Sequence, residues 1–470
     1  MDTFVYKDHK KLRCGYTTGT CAALAAQGAV RFLLTGSWKE TEEIMTPKGI
    51  PVCVPLEEKT SGADWAECAV RKDAGDDYDV TNGILVYARA EFVKDKNFYE
   101  KVQMSHLESS GFGAAGEKPG LSPENQKQQK KANAAHQKEA LPESLVRIDG
   151  GIGIGRITKS GLDQPVGAAA INSVPRKMIR DAVYELLEEA GELRLVSITI
   201  SVPAGVEAAK KTFNPVLGIE GGISVLGTSG IVEPMSEEAL VETIRTHLNV
   251  LKAEGRKWVI AVPGNMGAGF LERYLVEHGK FCTDAHQGSN AADTDAAVEA
   301  EQMAYGELST GTEPSLLEGF MNSLVTMSNF VGKTIDLAAE LGFSGILIAG
   351  HMGKLVKIGN GIMNTHSREA DGRMDTMLSC ALSAGTEDLE LLRKIQGSNT
   401  TDEVMDHLKQ AGILDDTIKV FLKRAAWHLA HRSRAEVKTG MIVFGTKGEY
   451  LGETEDADMI LKNALEELGR

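Results

Sequence analysis

Residues 20–34 (TCAALAAQGAVRFLL) are apolar and rich in alanine, and residues 175–190 (PRKMIRDAVYELLEEA) carry proline at the first helical position with acids and apolar residues following. Both stretches predict helices. Between and beyond them the period shortens to two: residues 84–93 alternate like a half-buried strand, 193–202 (LRLVSITISV) alternate more strongly, and 41–57 hold two short extended segments around a turn at 47–49. Short strands flanked by few helices predict an α+β domain over residues 1–235.

The pattern changes after Pro234. Ser236 precedes a run in which Leu240, Ile244, Leu248 and Leu251 keep helical spacing and Gly255 supplies a stop. Strand-like runs then alternate with helical ones. Residues 257–262 (KWVIAV) lead through PGNMGAG into a helix, 323–327 through SNFVG into another, and 345–349 through GHMG into a third. Three successive β-α units predict a Rossmann-like α/β domain with a mainly parallel sheet over residues 236–470. The last hundred residues read as mainly helical, with a short hairpin at 441–444 and 448–451.

Two tracts break the pattern. Residues 94–143 are rich in Gln, Lys, Ala and Gly with few large apolar side chains, and 282–317 are acidic and rich in Ala, Ser, Gly and Thr. Neither composition builds a core, so both read as insertions.

Composition narrows the function classes. A net charge of −15 disfavours nucleic acid, whose phosphates are met by clustered Lys and Arg. No apolar run reaches the roughly 18 residues that a spanning helix needs, and residues 1–13 lack the apolar core of a signal peptide, so the expected address is the cytoplasm with no membrane partner. Six cysteines without a C-x-x-C pair, and no clustered histidines, give no metal site.

Four constellations could carry chemistry. Tyr16, Thr17, Thr18, Gly19 and Thr20 place hydroxyls and amides before the alanine-rich helix, which suits either an anion receptor or a helix cap. The glycines from Gly150 to Gly155 lack the strand-then-helix context of a dinucleotide fingerprint. They suit an extended strand that admits another backbone or a flat ligand. Downstream, Asn172, Arg176 and Lys177 form a candidate carboxylate-binding cluster.

The third constellation, Gly264, Asn265 and Gly267, sits at a strand-to-helix turn where amides can approach a phosphate or carboxylate. An NAD enzyme should carry an acid about 20 residues on, at the second strand's end. Asp284 has the spacing, and Asn329 has the strand context without the carboxylate. The fourth follows Gly350: His351, Lys354, Asn364, Thr365, His366, Arg368 and Asp371 concentrate polar groups beyond an apolar strand.

Seven ordered segments resemble the cobalt-precorrin-5B C1-methyltransferase family of anaerobic cobalamin biosynthesis. They are LRCGYTTGTCAALAA (12–26), GGIGIGRITKSGLDQPVG (150–167), AINSVPRKMI (170–179), GISVLGTSGIVEPMS (222–236), PGNMG (263–267), SNFVG (328–332) and GHMGKLVKIGNGIMNTHSREADGR (350–373). The resemblance covers both halves and leaves out the two insertions.

It implies S-adenosylmethionine as methyl donor and ring carbon C1 of a cobalt tetrapyrrole as acceptor, the cobalt belonging to the substrate. On this reading Gly264, Asn265, Gly267, Asn329 and Gly350 hold the cofactor. Thr17, Thr18, Gly19, Arg176, Lys177, Lys354, Asn364, Thr365, His366 and Arg368 meet the substrate's carboxylate arms, and His351 is the candidate catalytic residue, as base or positioning group. A nicotinamide-dependent oxidoreductase and a non-catalytic corrinoid carrier are the alternatives, and a homodimer stays open.

Overall fold

The small residues along the first helix decide how the N-terminal unit packs. In the computed structural model, which describes residues 3–7, 9–93, 145–192, 194–278 and 316–468, helix Thr18–Thr35 is buried on nearly every side through its first thirteen residues. Alanines at 22, 23, 25 and 26 let the neighbours approach closely. Beneath it lies a five-stranded sheet in the order Glu57–Ser61, Trp65–Arg71, Leu85–Phe92, Val196–Ser201 and Val146–Gly150. All neighbours are antiparallel except the last pair. Alternate residues Ala66, Cys68, Val86, Ala88, Ala90, Ile198 and Ile200 point into one core with the helix and with helix Ser173–Ala190. Strands Thr41–Met45 and Pro51–Pro55 form the expected hairpin about residues 47–49.

The second helix corrects one expectation. It starts at Ser173, with Asn172 at the capping position, so Pro175 is its third residue rather than its first. Its amide lies among those left without a helical acceptor, which is why proline fits there too.

The chain divides into two compact units: Met1–Lys159 with Asp163–Ser236, and Ser160–Leu162 with Glu237–Arg470. The second holds a sheet in the order Val325–Thr326, Trp258–Val262, Gly345–His351, Lys438–Phe444 and Tyr450–Glu453. The first four strands are parallel and the last is antiparallel. Both faces are covered, so alternate residues of each strand are apolar in both directions. Val259, Ala261, Ile346, Ile348, Met441 and Val443 pack with helices Glu237–Ala253, Val331–Glu340, Arg373–Ser383 and Leu414–Arg432. Ile260, Val262, Leu347, Ala349, Ile442 and Phe444 pack with helices Asn265–Glu277 and Ala457–Leu468.

Three expectations change here. Strand Gly345–His351 runs two residues farther than the pattern gave, and only one helical turn, Met352–Leu355, and a 3-10 turn, Val356–Asn360, follow before Gly361 stops them at φ +75°. The polar residues from Asn364 to Asp371 therefore lie on a loop, not a helix. Asn364 and His366 each accept a backbone N–H two residues on, which competes with helical bonding. Leu240 is half exposed although its helical partners Ile244, Leu248 and Leu251 are buried, because it lies in the first turn, before the helix reaches the core. The arm expected over 441–444 is longer, Lys438–Phe444, and belongs to the parallel sheet as well as to the hairpin. The tracts 94–143 and 282–315, and Asp284 with them, lie outside the described residues.

Candidate functional site

Strand order creates the site in the second unit. From Trp258–Val262 the chain goes to one side to form Val325–Thr326, then crosses to the other side to form Gly345–His351. Loops leaving the first and third strands therefore diverge at their carboxyl ends, the position where open parallel sheets leave a crevice. Pro263 and Gly264 leave the first strand there. Helix Asn265–Glu277 begins at once, with no side-chain cap and with Asn265 exposed, so its first amides are available to an anionic group. Nothing lies within 4 Å of where a Gly264 Cβ would stand. Gly267 is different: its missing Cβ would meet the Ala349 carbonyl oxygen at 3.0 Å, so this glycine seats the helix on the central strand. Gly350 packs likewise against the Pro263 ring, which would lie 2.9 Å from a Cβ at that position. Gly264, Asn265, Gly267 and Gly350 are thus brought together, two facing open space and two packed.

His351 closes the central strand with both ring nitrogens engaged. Gly353 N donates to Nδ1 at 3.0 Å, and Nε2 lies 2.7 Å from Thr446 Oγ1 beyond the neighbouring strand. Thr446 in turn donates to Asp402 Oδ2 at 2.5 Å. Burial pushes the imidazole pKa below its ordinary value, against the raising effect of Asp402 and Glu449, and Lys354 adds to the lowering. A neutral ring with no free lone pair is poorly placed to act as a base.

Asn329 ends the second strand's loop and meets the polar loop. Thr365 N donates to the Asn329 carbonyl at 2.9 Å, and Thr365 Oγ1 to its Oδ1 at 3.3 Å. Sequence reasoning missed the group that fixes this loop. Lys357 is 3 % exposed, and its ammonium donates to the carbonyls of Thr365 at 3.0 Å and Ala370 at 2.8 Å. Burial depresses its pKa. The available signal was a lysine between Val356 and Ile358 in a glycine-bounded apolar run. With the loop so held, Asn364, His366 and Arg368 ride on a fixed backbone, and Lys354 is exposed on the turn after His351. Asp371 pairs with Arg373 at 2.6 Å, which keeps the carboxylate well ionised.

The candidate residues of the first unit are bound into its own structure. Thr17 caps helix Thr18–Thr35 by accepting from Thr20 N at 3.2 Å, Thr18 Oγ1 accepts from Leu226 N at 3.1 Å, and Thr20 donates to the Gly230 carbonyl at 2.6 Å. Gly19 is seated against Pro175. Three hydroxyls are used because one caps the helix and two pin the 226–230 loop. Arg176 donates to the carbonyls of Ile171, Ile148 and Ala169 at 2.7–3.3 Å, which leaves little of it for a carboxylate. Lys177 is exposed beside Asp181 at 3.3 Å. In the glycine segment, Gly153–Ile154 pairs in parallel with Gly222–Ile223, so the close approach there is made by backbone.

Among the described residues, no helix is long and apolar enough to cross a membrane. The sequence matches the protein family CbiD over residues 5–128 and 127–234, and the family "CbiD, C-terminal domain" over 364–455. It is 36 % identical over 444 residues to the cobalt-precorrin-5B C(1)-methyltransferase of Ruminiclostridium cellulolyticum, covering 94 % of this chain and 92 % of the relative. The protein of the same name from Methanocaldococcus jannaschii is 34 % identical over 448 residues, covering 95 % and 98 %. A crystal structure of a cobalamin biosynthesis protein (cbiD) from Archaeoglobus fulgidus is 22 % identical, covers 79 % of this chain and 87 % of that one, and aligns with a TM-score of 0.33.

Proposed function

The chain belongs to the CbiD family, and from that premise we propose that it methylates ring carbon C1 of cobalt-precorrin-5B in cobalamin biosynthesis, with S-adenosylmethionine as donor. The observation that carries the reading is relatedness along nearly the whole chain to methyltransferases of that name. S-adenosylmethionine supplies an electrophilic methyl group on a positive sulfur. The nucleophile is the electron-rich ring carbon of the tetrapyrrole: its C–C bond to the methyl forms as the C–S bond breaks, and the electron pair stays on sulfur.

The chain's own work is then placement and exclusion of water. Holding two reactants in line supplies roughly 7–11 kcal/mol of the barrier. C1 already bears substituents and has no proton to lose, so a general base is dispensable, in keeping with a His351 whose nitrogens are both engaged. We read the second unit as a Rossmann-like α/β domain whose strand tips receive the donor. Open space at Gly264 and the uncapped amides at Asn265 suit its carboxylate. Asn364, His366, Arg368 and Lys354 offer donors to the acetate and propionate arms, which a chain of net charge −15 must meet locally.

Incubation of the purified chain with cobalt-precorrin-5B and methyl-labelled S-adenosylmethionine tests the proposal. One labelled methyl per macrocycle, located at C1 by nuclear magnetic resonance, is expected. A macrocycle that binds and stays unlabelled would instead identify a carrier.

A further inference from the structure

The line of groups behind His351 has a single direction. Gly353 N–H occupies the Nδ1 lone pair, so the one hydrogen of the neutral ring sits on Nε2 and points at Thr446 Oγ1. The Thr446 hydrogen goes to Asp402 Oδ2, since a carboxylate can only accept. Three segments are joined by it: the turn after the central strand, the turn after strand Lys438–Phe444, and the first turn of helix Thr401–Gln410.

Asp402 carries the second observation. Its Oδ1 is buried and has no hydrogen-bond partner. A carboxylate with one oxygen desolvated and unpaired costs stability, which its place in the first turn of helix Thr401–Gln410 offsets only in part. Its effect is felt at His351, which it faces through one hydroxyl.

We propose that Thr446 and Asp402 are positioning residues for the donor-binding turn. Their hydrogen-bond line fixes His351 as the Nε2–H tautomer, which leaves Nδ1 to accept from Gly353 and holds the turn from Gly350 to Gly353 in the shape that receives the donor. The functional half of this rests on the reading of the strand tips given above; the tautomer lock does not. The charged groups facing the ring are Asp402 and Glu449, which favour its protonation, and Lys354, which opposes it. Protonation at Nδ1 would set two N–H groups against each other at Gly353 and open the turn.

The test uses the full chain with Thr446→Val, which keeps the shape and removes the hydroxyl, Thr446→Ser, which restores it, and Asp402→Asn, which keeps an acceptor and removes the charge. Nitrogen resonances of His351, assigned by their loss in His351→Gln, report the tautomer, and calorimetry with S-adenosylmethionine reports the turn. Wild type and Thr446→Ser should show a protonated Nε2 and a bare Nδ1. Thr446→Val should mix the tautomers and weaken S-adenosylmethionine about tenfold, the net worth of one hydrogen bond. Asp402→Asn should lower the pH at which His351 titrates.

A wild-type ring protonated on Nδ1 overturns the proposal. So does a Thr446→Val protein whose nitrogen resonances or donor affinity match wild type. If Thr446→Val does not fold, an unmoved His351 titration in Asp402→Asn overturns it instead. Wild type that fails to bind S-adenosylmethionine while showing the expected tautomer counts against the strand-tip reading and leaves the lock standing.

Discussion

Lys357 and His351 are both partly or wholly buried, both have depressed pKa values, and each holds a loop through hydrogen bonds to backbone. They respond differently to change. Lys357→Met removes the donor for two carbonyls, Thr365 and Ala370, at a site 3 % exposed. An unsatisfied buried acceptor costs about 1–3 kcal/mol, so this variant should lose that much stability in urea and exchange the Thr365 amide faster. A Lys357→Met protein with wild-type exchange at Thr365 would show that the loop is fixed by Asn329 alone. For His351 the effect follows pH. Its folded pKa lies below the ordinary 6.5, so the unfolded chain binds the proton first as pH falls. The stabilisation from the neutral ring is complete above about 6.5 and is lost as pH drops through the lower folded value. Relative to His351→Asn, wild type should therefore be favoured at pH 7.5 and lose that advantage towards pH 5, measured by urea unfolding at each pH.

Elements were legible where local period sets them and obscure where partners lie far along the chain. Helices Thr18–Thr35 and Ser173–Ala190, the hairpin at 41–55 and strand Leu85–Phe92 all lie within a few residues of what local sequence predicts. Strand Lys438–Phe444 is legible only in part, as a hairpin arm over 441–444, because its parallel partner Gly345–His351 lies more than 90 residues earlier and no local signal marks that pairing. The glycine run gave the right physics with two possible beneficiaries, a backbone or a ligand, and the structure supplies the backbone. At Gly153, φ is +76° and a Cβ would stand 1.7 Å from the Val202 carbonyl oxygen. Gly153→Ala should destabilise the first unit by about 3–5 kcal/mol, strain and overpacking together. Chemical denaturation followed through Trp38 or Trp65 would check it, and a loss under 1 kcal/mol would mean the segment yields easily. At the site, the polar loop and the Gly264 turn were legible as motifs, while Lys357, Thr446 and Asp402 were not. Their hydrogen bonds are made across the fold, and a threonine or an aspartate in isolation carries no signature of such a line.

At the scale of the whole molecule, a chain of net charge −15 must receive a macrocycle that itself carries many carboxylates. Two electrostatic terms oppose each other. Repulsion from the protein's summed charge acts over tens of ångströms, whereas attraction to Lys354 and Arg368, the cations of the proposed substrate site, acts at contact. Salt separates them by range: the screening length is about 30 Å at 0.01 M and about 8 Å at 0.15 M. Moderate salt therefore removes the distant repulsion before it weakens contact pairs that are partly shielded from solvent. The kcat/KM for the tetrapyrrole should rise as potassium chloride increases from about 0.01 to 0.15 M, then level off or fall as contact pairs are screened in turn. For the proposed donor, S-adenosylmethionine, with its positive sulfur and amino group offset by one carboxylate, the dependence should be shallower. Steady-state rates with each substrate varied in turn would distinguish the two. A tetrapyrrole rate that falls steeply from the lowest salt would mean that the local cations form a wide attractive field, and that substrate is steered to the loop rather than admitted against repulsion.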